Sequence, residues 1–140
     1  MDCVFCKIRD GVLPATKVYE DDRVLAVLDI HPLNDGHTLV LTKAHAETLW
    51  EADPEDLAAA VRAAQVVARA IREALKPDGL NVLQANGRAA FQSVPHFHLH
   101  LVPRWEGDGR GLNWELVPGQ ADRIRTVGEQ IRAHLQSGQE

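Results

Sequence analysis

The stretch Val94–Val102 reads VPHFHLHLV, in which histidines alternate with apolar residues. Successive side chains of a β-strand point to opposite faces, so this alternation predicts a strand over Val94–Val102. One face would carry the histidines, which are His96, His98 and His100. The other would carry the apolar residues, which are Phe97, Leu99 and Leu101. The apolar face can anchor the strand in a core while the imidazoles line a site.

The segment before this strand, Asn86–Ser93, reads as a loop rich in small and polar residues. Backbone amides and short polar side chains can hold phosphate oxygens where charge develops. Two other interpretations of the histidines stay open at this point. They are an exposed face that happens to be histidine and three ligands of one open metal site.

The first third of the chain reads as short strands joined by tight turns. The sequence predicts strands at Val18–Tyr19, Arg23–Ile30 and Thr38–Thr42, with a turn at Glu20–Asp22 and a loop at His31–Gly36. Residues 45–50 are ambiguous, with a short helix as one interpretation. A further strand is predicted at Leu80–Gln84.

The clearest helix runs from about Pro54 to Lys76, because Asp53 can cap its start and Pro54 suits the first helical position. Its apolar stripe is predicted to be Leu57, Val61, Ala64, Ala68, Ile71 and Leu75. A polar stripe comprises Arg62, Gln65, Arg69 and Arg72. A last helix is predicted through Ile124, Val127, Ile131 and Leu135. Short early strands with one long helix favour an α+β domain with a mainly antiparallel sheet.

Composition describes an ordinary globular chain of 140 residues with a formal net charge of −5. We find no internal repeat or linker, so we expect a single domain over residues 1–140. The acidic balance argues against nucleic acid as a partner. No signal peptide and no apolar run of membrane length are evident, so we expect no membrane association and a cytoplasmic location.

In a reducing compartment, Cys3 and Cys6 indicate a metal or redox site rather than a structural disulfide.

The segment His96–Val102 resembles the signature of the histidine triad (HIT) family, in which three histidines alternate with apolar residues. Other segments resemble bacterial members in the same order, and these are Cys3–Ile8, Val18–Glu20, Ala26–Ile30, Gly36–Val40, Lys43, His45, Gln92–Val94 and Pro103–Arg104. The resemblance implies the HIT-like fold, a five-stranded, mainly antiparallel sheet with one long and one C-terminal helix. It also implies a homodimer in which two sheets join edge to edge.

The resemblance further implies hydrolysis or transfer at the α-phosphate of a nucleotide. His98 would be the nucleophile and form a nucleotidyl-histidine intermediate that water then hydrolyses. His100 would contact the phosphate oxygens, and Ser93 would hydrogen-bond the leaving atom.

The nucleotide contacts implied by the resemblance lie in two places. Asp29 would accept hydrogen bonds from the ribose hydroxyls, and Ile30 would pack on the base or sugar. The alternative for Asp29 is a carboxylate that caps a turn at a strand end. Gln92 and Ser93 match positions near the phosphate.

Two residues depart from the family pattern. Ala85 stands where an amide residue is usual, so that amide is missing or Asn86 replaces it. Phe91 stands where many members have glycine, which puts the preferred leaving group in doubt.

A metal site is implied by Cys3, Cys6, His45 and His96, which match the ligands of zinc-containing bacterial members. Two thiolates and two imidazoles suit a closed, structural zinc site. The alternatives are a redox pair, which no βαβ pattern supports, and two unoccupied thiols. His37 is expected to hydrogen-bond backbone near the histidine strand, and His31 and His134 are expected on the surface.

The leading functional hypothesis is a purine nucleoside phosphoramidase whose substrate is a purine nucleotide or nucleotide conjugate. The alternatives are a dinucleoside polyphosphate hydrolase and a nucleotide-binding regulatory protein whose catalysis is vestigial.

Overall fold

Five strands form one antiparallel sheet in the computed structural model, which describes residues 3–112 and 114–138. They are β1 (Lys17–Glu20), β2 (Val24–Leu28), β3 (Thr38–Thr42), β4 (Gly79–Leu83) and β5 (His98–Arg104), in the spatial order β1-β2-β3-β5-β4. The helices are α1 (Val4–Arg9), α2 (Pro54–Leu75) and α3 (Ala121–Gly138), with a 3₁₀ turn at Arg88–Ala90. The predicted α+β class and mainly antiparallel sheet are confirmed.

Strand β5 lies inside the sheet and is paired on both sides. His98 is opposite Leu41 of β3, and His100 is opposite both Leu39 of β3 and Leu83 of β4. Two flanking ladders fix the backbone of β5, so the imidazoles of His98 and His100 start from a rigid support.

The two faces of the sheet carry different clusters of apolar side chains. Phe97, Leu99 and Leu101 are buried in the cluster that includes α2, as the alternation predicted. The opposite face packs against α1, where Phe5 contacts the rings of both His96 and His98.

The predicted start of this strand at Val94 is wrong, because the ladder begins at His98 and runs on to Arg104. Pro95 has no N–H to donate to a neighbouring strand. The N–H of Phe97 donates to the carbonyl of Ala46 at 2.8 Å, in a loop rather than a strand. The His96 ring lies beyond the end of the ladder, in a cluster with Cys3, Cys6 and His45.

Helix α2 has the expected ends but a different buried face. Asp53 accepts a hydrogen bond from the N–H of Glu55 at 2.8 Å, and Lys76 ends the helix in the left-handed conformation. Val61 was predicted to be buried but is 62% exposed. The side chains that face the sheet are mostly small, namely Ala59, Ala60, Ala63, Ala64, Val67 and Ile71. Alanines let the helix lie close to the sheet, which a hydrophobicity pattern does not detect. The predicted polar stripe is exposed.

Residues 45–50 contain bends and a turn but no helix. Their backbone groups bind the loop before β5 instead. The N–H of Leu49 donates to Asn86 Oδ1 at 2.7 Å, and the carbonyl of Glu47 accepts from Gln92 Nε2 at 2.6 Å. These partners were not recognisable from local sequence.

Gly36 is required where the chain enters β3. Its φ is +84°, and a Cβ there would lie 2.5 Å from Leu75 Cδ1 at the end of α2. Both the backbone conformation and the close approach therefore favour glycine.

The chain divides into two compact units, Met1–Gly109 and Arg110–Glu140. The second unit contains α3, which confirms the predicted last helix, with Ile124, Ile131 and Leu135 exposed on its surface. No helix in the described part of the chain combines the length and apolar character that crossing a bilayer needs.

The buried face of α2 can be tested with two substitutions. Ala63→Leu adds volume where α2 meets the sheet, and we expect it to lower the free energy of unfolding by about 1–3 kcal/mol. Val61→Lys is exposed and is expected to change it by less than about 0.5 kcal/mol. Urea unfolding measures both. A larger loss for Val61→Lys would contradict this orientation of the helix.

Candidate active site

His98 is the histidine whose reactive nitrogen is most clearly defined by its surroundings. Its Nδ1 lies 2.7 Å from the carbonyl oxygen of His96. A carbonyl can only accept a hydrogen bond, so Nδ1 carries the proton and Nε2 carries a lone pair. The residue is only 4% exposed, and the Phe5 ring packs edge-on against it at 4.9 Å. These contacts fix the ring and its tautomer.

His100 is set by a chain of hydrogen bonds that begins at the backbone. The N–H of Leu33 donates to His37 Nδ1 at 3.0 Å, so the proton of neutral His37 is on Nε2. That Nε2–H donates to His100 Nδ1 at 2.9 Å. His100 therefore carries its own proton on Nε2. His37 was predicted to bond backbone, which is confirmed, but its contact with His100 was not foreseen.

The imidazoles of the site favour their neutral forms. Burial lowers the pKa of His100 to about 4, and the neighbouring His98 and His37 act in the same direction. Burial also lowers the pKa of His98 and of His37, while the Asp29 carboxylate opposes both shifts. At neutral pH the site thus offers an unprotonated nitrogen on His98 beside an N–H donor on His100.

A cavity of about 580 Å³ opens onto these rings. His98, His100 and Ser93 line one part of it, and Asp29 and Ile30 line another. Much of the remaining wall is apolar and comes from α1 and the segment after it. A mainly apolar cavity of this size with a few convergent polar groups is typical of a small-molecule site.

Asp29 both caps a turn and faces the cavity. Its Oδ1 accepts from the N–H of His31 at 2.8 Å, which is the turn-capping arrangement left open by the sequence. Its Oδ2 lies 3.4 Å from His37 Nε2. Ile30 is 84% exposed at the cavity edge, where its side chain is available to a ligand.

The side chains of Gln92 and Asn86 hold the loop together rather than line this cavity. Gln92 Oε1 accepts from the N–H of Gly87 at 2.7 Å, while its Nε2 binds the segment at Glu47. Asn86 exchanges two hydrogen bonds with Gln84, at 2.7 and 2.8 Å. Both amides thereby shape the loop that carries Ser93 into the cavity wall.

Phe91 adopts a φ of +63°, the left-handed region that glycine enters freely. A glycine at this position would adopt the same conformation without strain. The Phe91 side chain is 91% exposed, so it does not narrow the cavity.

Cys3, Cys6, His45 and His96 converge, with one ligand atom from each lying within 4.8 Å of the others. The His96 Nδ1 is 3.3 Å from Cys3 Sγ and 3.7 Å from Cys6 Sγ. Zinc–sulfur bonds of about 2.3 Å and zinc–nitrogen bonds of about 2.0 Å set tetrahedral ligand atoms about 3.3–3.8 Å apart. Cys6 Sγ also lies 3.4 Å from His45 Nδ1, and the Nδ1 atoms of His45 and His96 lie 3.1 Å apart. These four distances lie within or close to the range that tetrahedral zinc ligands require.

The tautomer of His96 also fits a metal ligand. His96 Nε2 lies 2.6 Å from the carbonyl oxygen of Thr42, so this nitrogen donates and Nδ1 keeps its lone pair toward the thiols. His96 thus faces the thiols, whereas His98 and His100 line the cavity.

His31 is the cavity residue that sequence reasoning missed, since it was expected to be a surface residue. It is exposed, as expected, but it also lines the cavity beside Ile30. The sequence signal that could have identified it is its position two residues after Asp29, a residue already predicted to bind the ribose.

The HIT domain model matches residues 10–107. The Bacillus subtilis "Protein hit" is 48% identical over 115 residues, covering 81% of this chain and 79% of that protein. The adenosine 5′-monophosphoramidase of Schizosaccharomyces pombe is 38% identical over 136 residues, covering 96% and 99%.

Among solved structures, a zinc-bound histidine triad family protein from Mycobacterium smegmatis has a TM-score of 0.75 and 42% identity, with 99% of each chain covered. Three findings point to the same family: the match of the domain model, the identity to these relatives and the geometry of the three histidines. The chain therefore belongs to the HIT family.

Proposed function

We propose that this protein is a nucleoside phosphoramidase that acts on purine nucleotide conjugates at the α-phosphate. The observation that carries the proposal is the tautomer of His98, which lines the cavity and whose Nε2 lone pair is left free by the 2.7 Å bond from Nδ1 to the carbonyl of His96. The family includes nucleotide hydrolases, and the fission yeast relative is an adenosine 5′-monophosphoramidase.

In the first proposed step, His98 Nε2 attacks phosphorus and the bond from phosphorus to the leaving nitrogen breaks. The leaving nitrogen takes up one proton from solvent water and departs as an amine, with the Ser93 hydroxyl as its hydrogen-bond partner. The His100 Nε2–H donates to a phosphate oxygen, where negative charge develops.

In the second step, water attacks the phosphorus of the nucleotidyl-histidine and the bond from phosphorus to His98 breaks. The attacking water gives up one proton to solvent, which replaces the one taken up in the first step. The net reaction therefore consumes one water and releases a nucleoside monophosphate and an amine. Asp29 would bind the ribose hydroxyls during both steps, and Ile30 would pack on the nucleoside. In this proposal Gln92 and Asn86 act by shaping the loop around the phosphate.

The Cys3, Cys6, His45 and His96 cluster is proposed to hold structural zinc. A bound zinc ion would tie the N-terminal segment to the strand that carries the nucleophile. The zinc-bound relative from Mycobacterium smegmatis supports this assignment, as does the spacing of the four ligand atoms. Two buried cysteines that form no disulfide also support a cytoplasmic location, where thiols stay reduced.

The proposed assembly is a homodimer formed at the β4 edge of the sheet. β4 is the last strand in the sheet order, and Leu80, Val82 and Leu83 on it are exposed. An uncovered edge with apolar side chains is suited to pairing with a second copy.

Replacing the nucleophile tests the proposed reaction. We expect His98→Ala to lower kcat/KM for an adenosine phosphoramidate by at least about 10³-fold, because the covalent route is lost. The same panel includes diadenosine polyphosphates, on which wild type should be slower. The variant should still bind AMP, which shows that the fold survives. Activity within tenfold of wild type would contradict the mechanism.

Metal analysis tests the proposed zinc. We expect about one zinc per chain in wild type purified without chelator, and almost none in Cys6→Ser. The variant should also lose several kcal/mol of unfolding free energy, since metal binding contributes to folding. His98→Ala is the matched control and should keep its zinc. Wild type with almost no zinc would refute the assignment.

The neutral state of His100 makes stability depend on pH. Its pKa is about 4 in the folded chain, against a reference value of about 6.5, so the unfolded chain binds more protons below pH 6.5. Stability should therefore fall as pH drops from about 6.5 to about 4. Between pH 7 and 5, we expect His100→Gln to lose about 1–2 kcal/mol less unfolding free energy than wild type. Urea unfolding measures these free energies at each pH. Equal losses in wild type and His100→Gln would contradict the lowered pKa of His100.

A further inference from the structure

The cavity has a polar part and an apolar part. Ser93, His98 and His100 lie where the phosphate is proposed to bind, and Asp29 lies where the ribose is proposed to bind. The rest of the wall is apolar, formed by Val4, Phe5, Ile8, Leu13, Pro14 and their neighbours. Among the described residues of this wall, His31 is the one remaining polar side chain.

The backbone of His31 is fixed at the cavity. Its N–H donates to Asp29 Oδ1 at 2.8 Å, which ties the residue to the carboxylate of the proposed ribose site. The side chain is exposed and also lines the cavity, so it lies at the cavity mouth. Within the described part of the chain, no hydrogen bond or ion pair uses its ring. The ring is thus available to a ligand.

A nucleobase that packs between apolar side chains is stabilised by the area it buries. Such contacts do not hydrogen-bond the polar groups along its edge. The four common bases present different donors and acceptors along that edge, and flat apolar contacts do not read them. A neutral imidazole has one donor and one acceptor. A site that hydrogen-bonds a ligand discriminates strongly against analogues that lack the matching group.

We propose that His31 is a specificity-determining residue that hydrogen-bonds the nucleobase at the cavity mouth. This inference rests on the proposed function, because it requires a nucleotide whose phosphate lies at His98. It assigns selection of the nucleobase to a residue other than His96, His98 and His100, and outside the loop that precedes β5. The rival interpretation is an exposed histidine that contacts only water.

The test compares the 5′-phosphoramidates of adenosine, guanosine, cytidine and uridine. In wild type we expect kcat/KM to differ by at least about tenfold between the best and the worst base, the effect of one good hydrogen bond. His31→Ala should raise KM most for the preferred base and compress that ratio to about threefold or less. His31→Gln keeps a donor and an acceptor and should restore part of the ratio.

His134→Ala is the matched control, because His134 is an exposed histidine on α3 that lies near the carbonyl of Gln130. It should keep the wild-type ratio. Several outcomes would overturn the proposal: a wild type without base preference, an unchanged ratio in His31→Ala, or an equal loss on all four bases. A His31→Gln ratio no different from that of His31→Ala would also refute hydrogen bonding by this residue.

Binding measurements separate this proposal from the proposed function. Dissociation constants for AMP, GMP, CMP and UMP, in wild type and in His31→Ala, do not depend on turnover. If wild type hydrolyses no phosphoramidate, the proposed function fails. The ratio of dissociation constants would still compress in His31→Ala if His31 contacts the base, and would stay unchanged if it does not.

Discussion

The hydrogen bond from His98 Nδ1–H to the carbonyl of His96 is the interaction on which the rest of the site depends. It leaves the lone pair on Nε2, since the other nitrogen is occupied. It also joins two separate clusters, because His96 contributes its carbonyl to His98 and its ring to the thiols of Cys3 and Cys6. A change in the position of His96 would therefore affect the proposed zinc site and the orientation of the His98 ring together.

The sheet gives this hydrogen bond its rigidity. β5 is held by ladders on both sides, and Phe97, Leu99 and Leu101 bury its other face against α2. Of the three histidines, only His96 lies outside the ladder, and its ring is close to the thiols of Cys3 and Cys6. The other two, His98 and His100, line the cavity.

Much of this could be predicted from the sequence because alternation is a direct consequence of strand geometry. The apolar face of β5 and the ends of α2 were visible in this way. What could not be predicted depended on partners distant in sequence. The N–H of Phe97 donates to the carbonyl of Ala46 beyond the end of the ladder, and α2 faces the sheet with alanines rather than with Val61. The position of His31 in the cavity wall likewise required the turn capped by Asp29.

Phe91 shows where local preference and fold disagree. A bulky residue with φ of +63° is strained by roughly 1–2 kcal/mol, yet the loop keeps this conformation. Gln92, the next residue, makes hydrogen bonds to Gly87 and Glu47 that require the chain to turn sharply before it. Those two bonds, together with the pairing of Gln84 and Asn86, hold the loop that contains the strained residue. Ser93 comes two residues after Phe91 and lines the cavity, so the strained turn lies next to the part of the loop that forms the cavity wall.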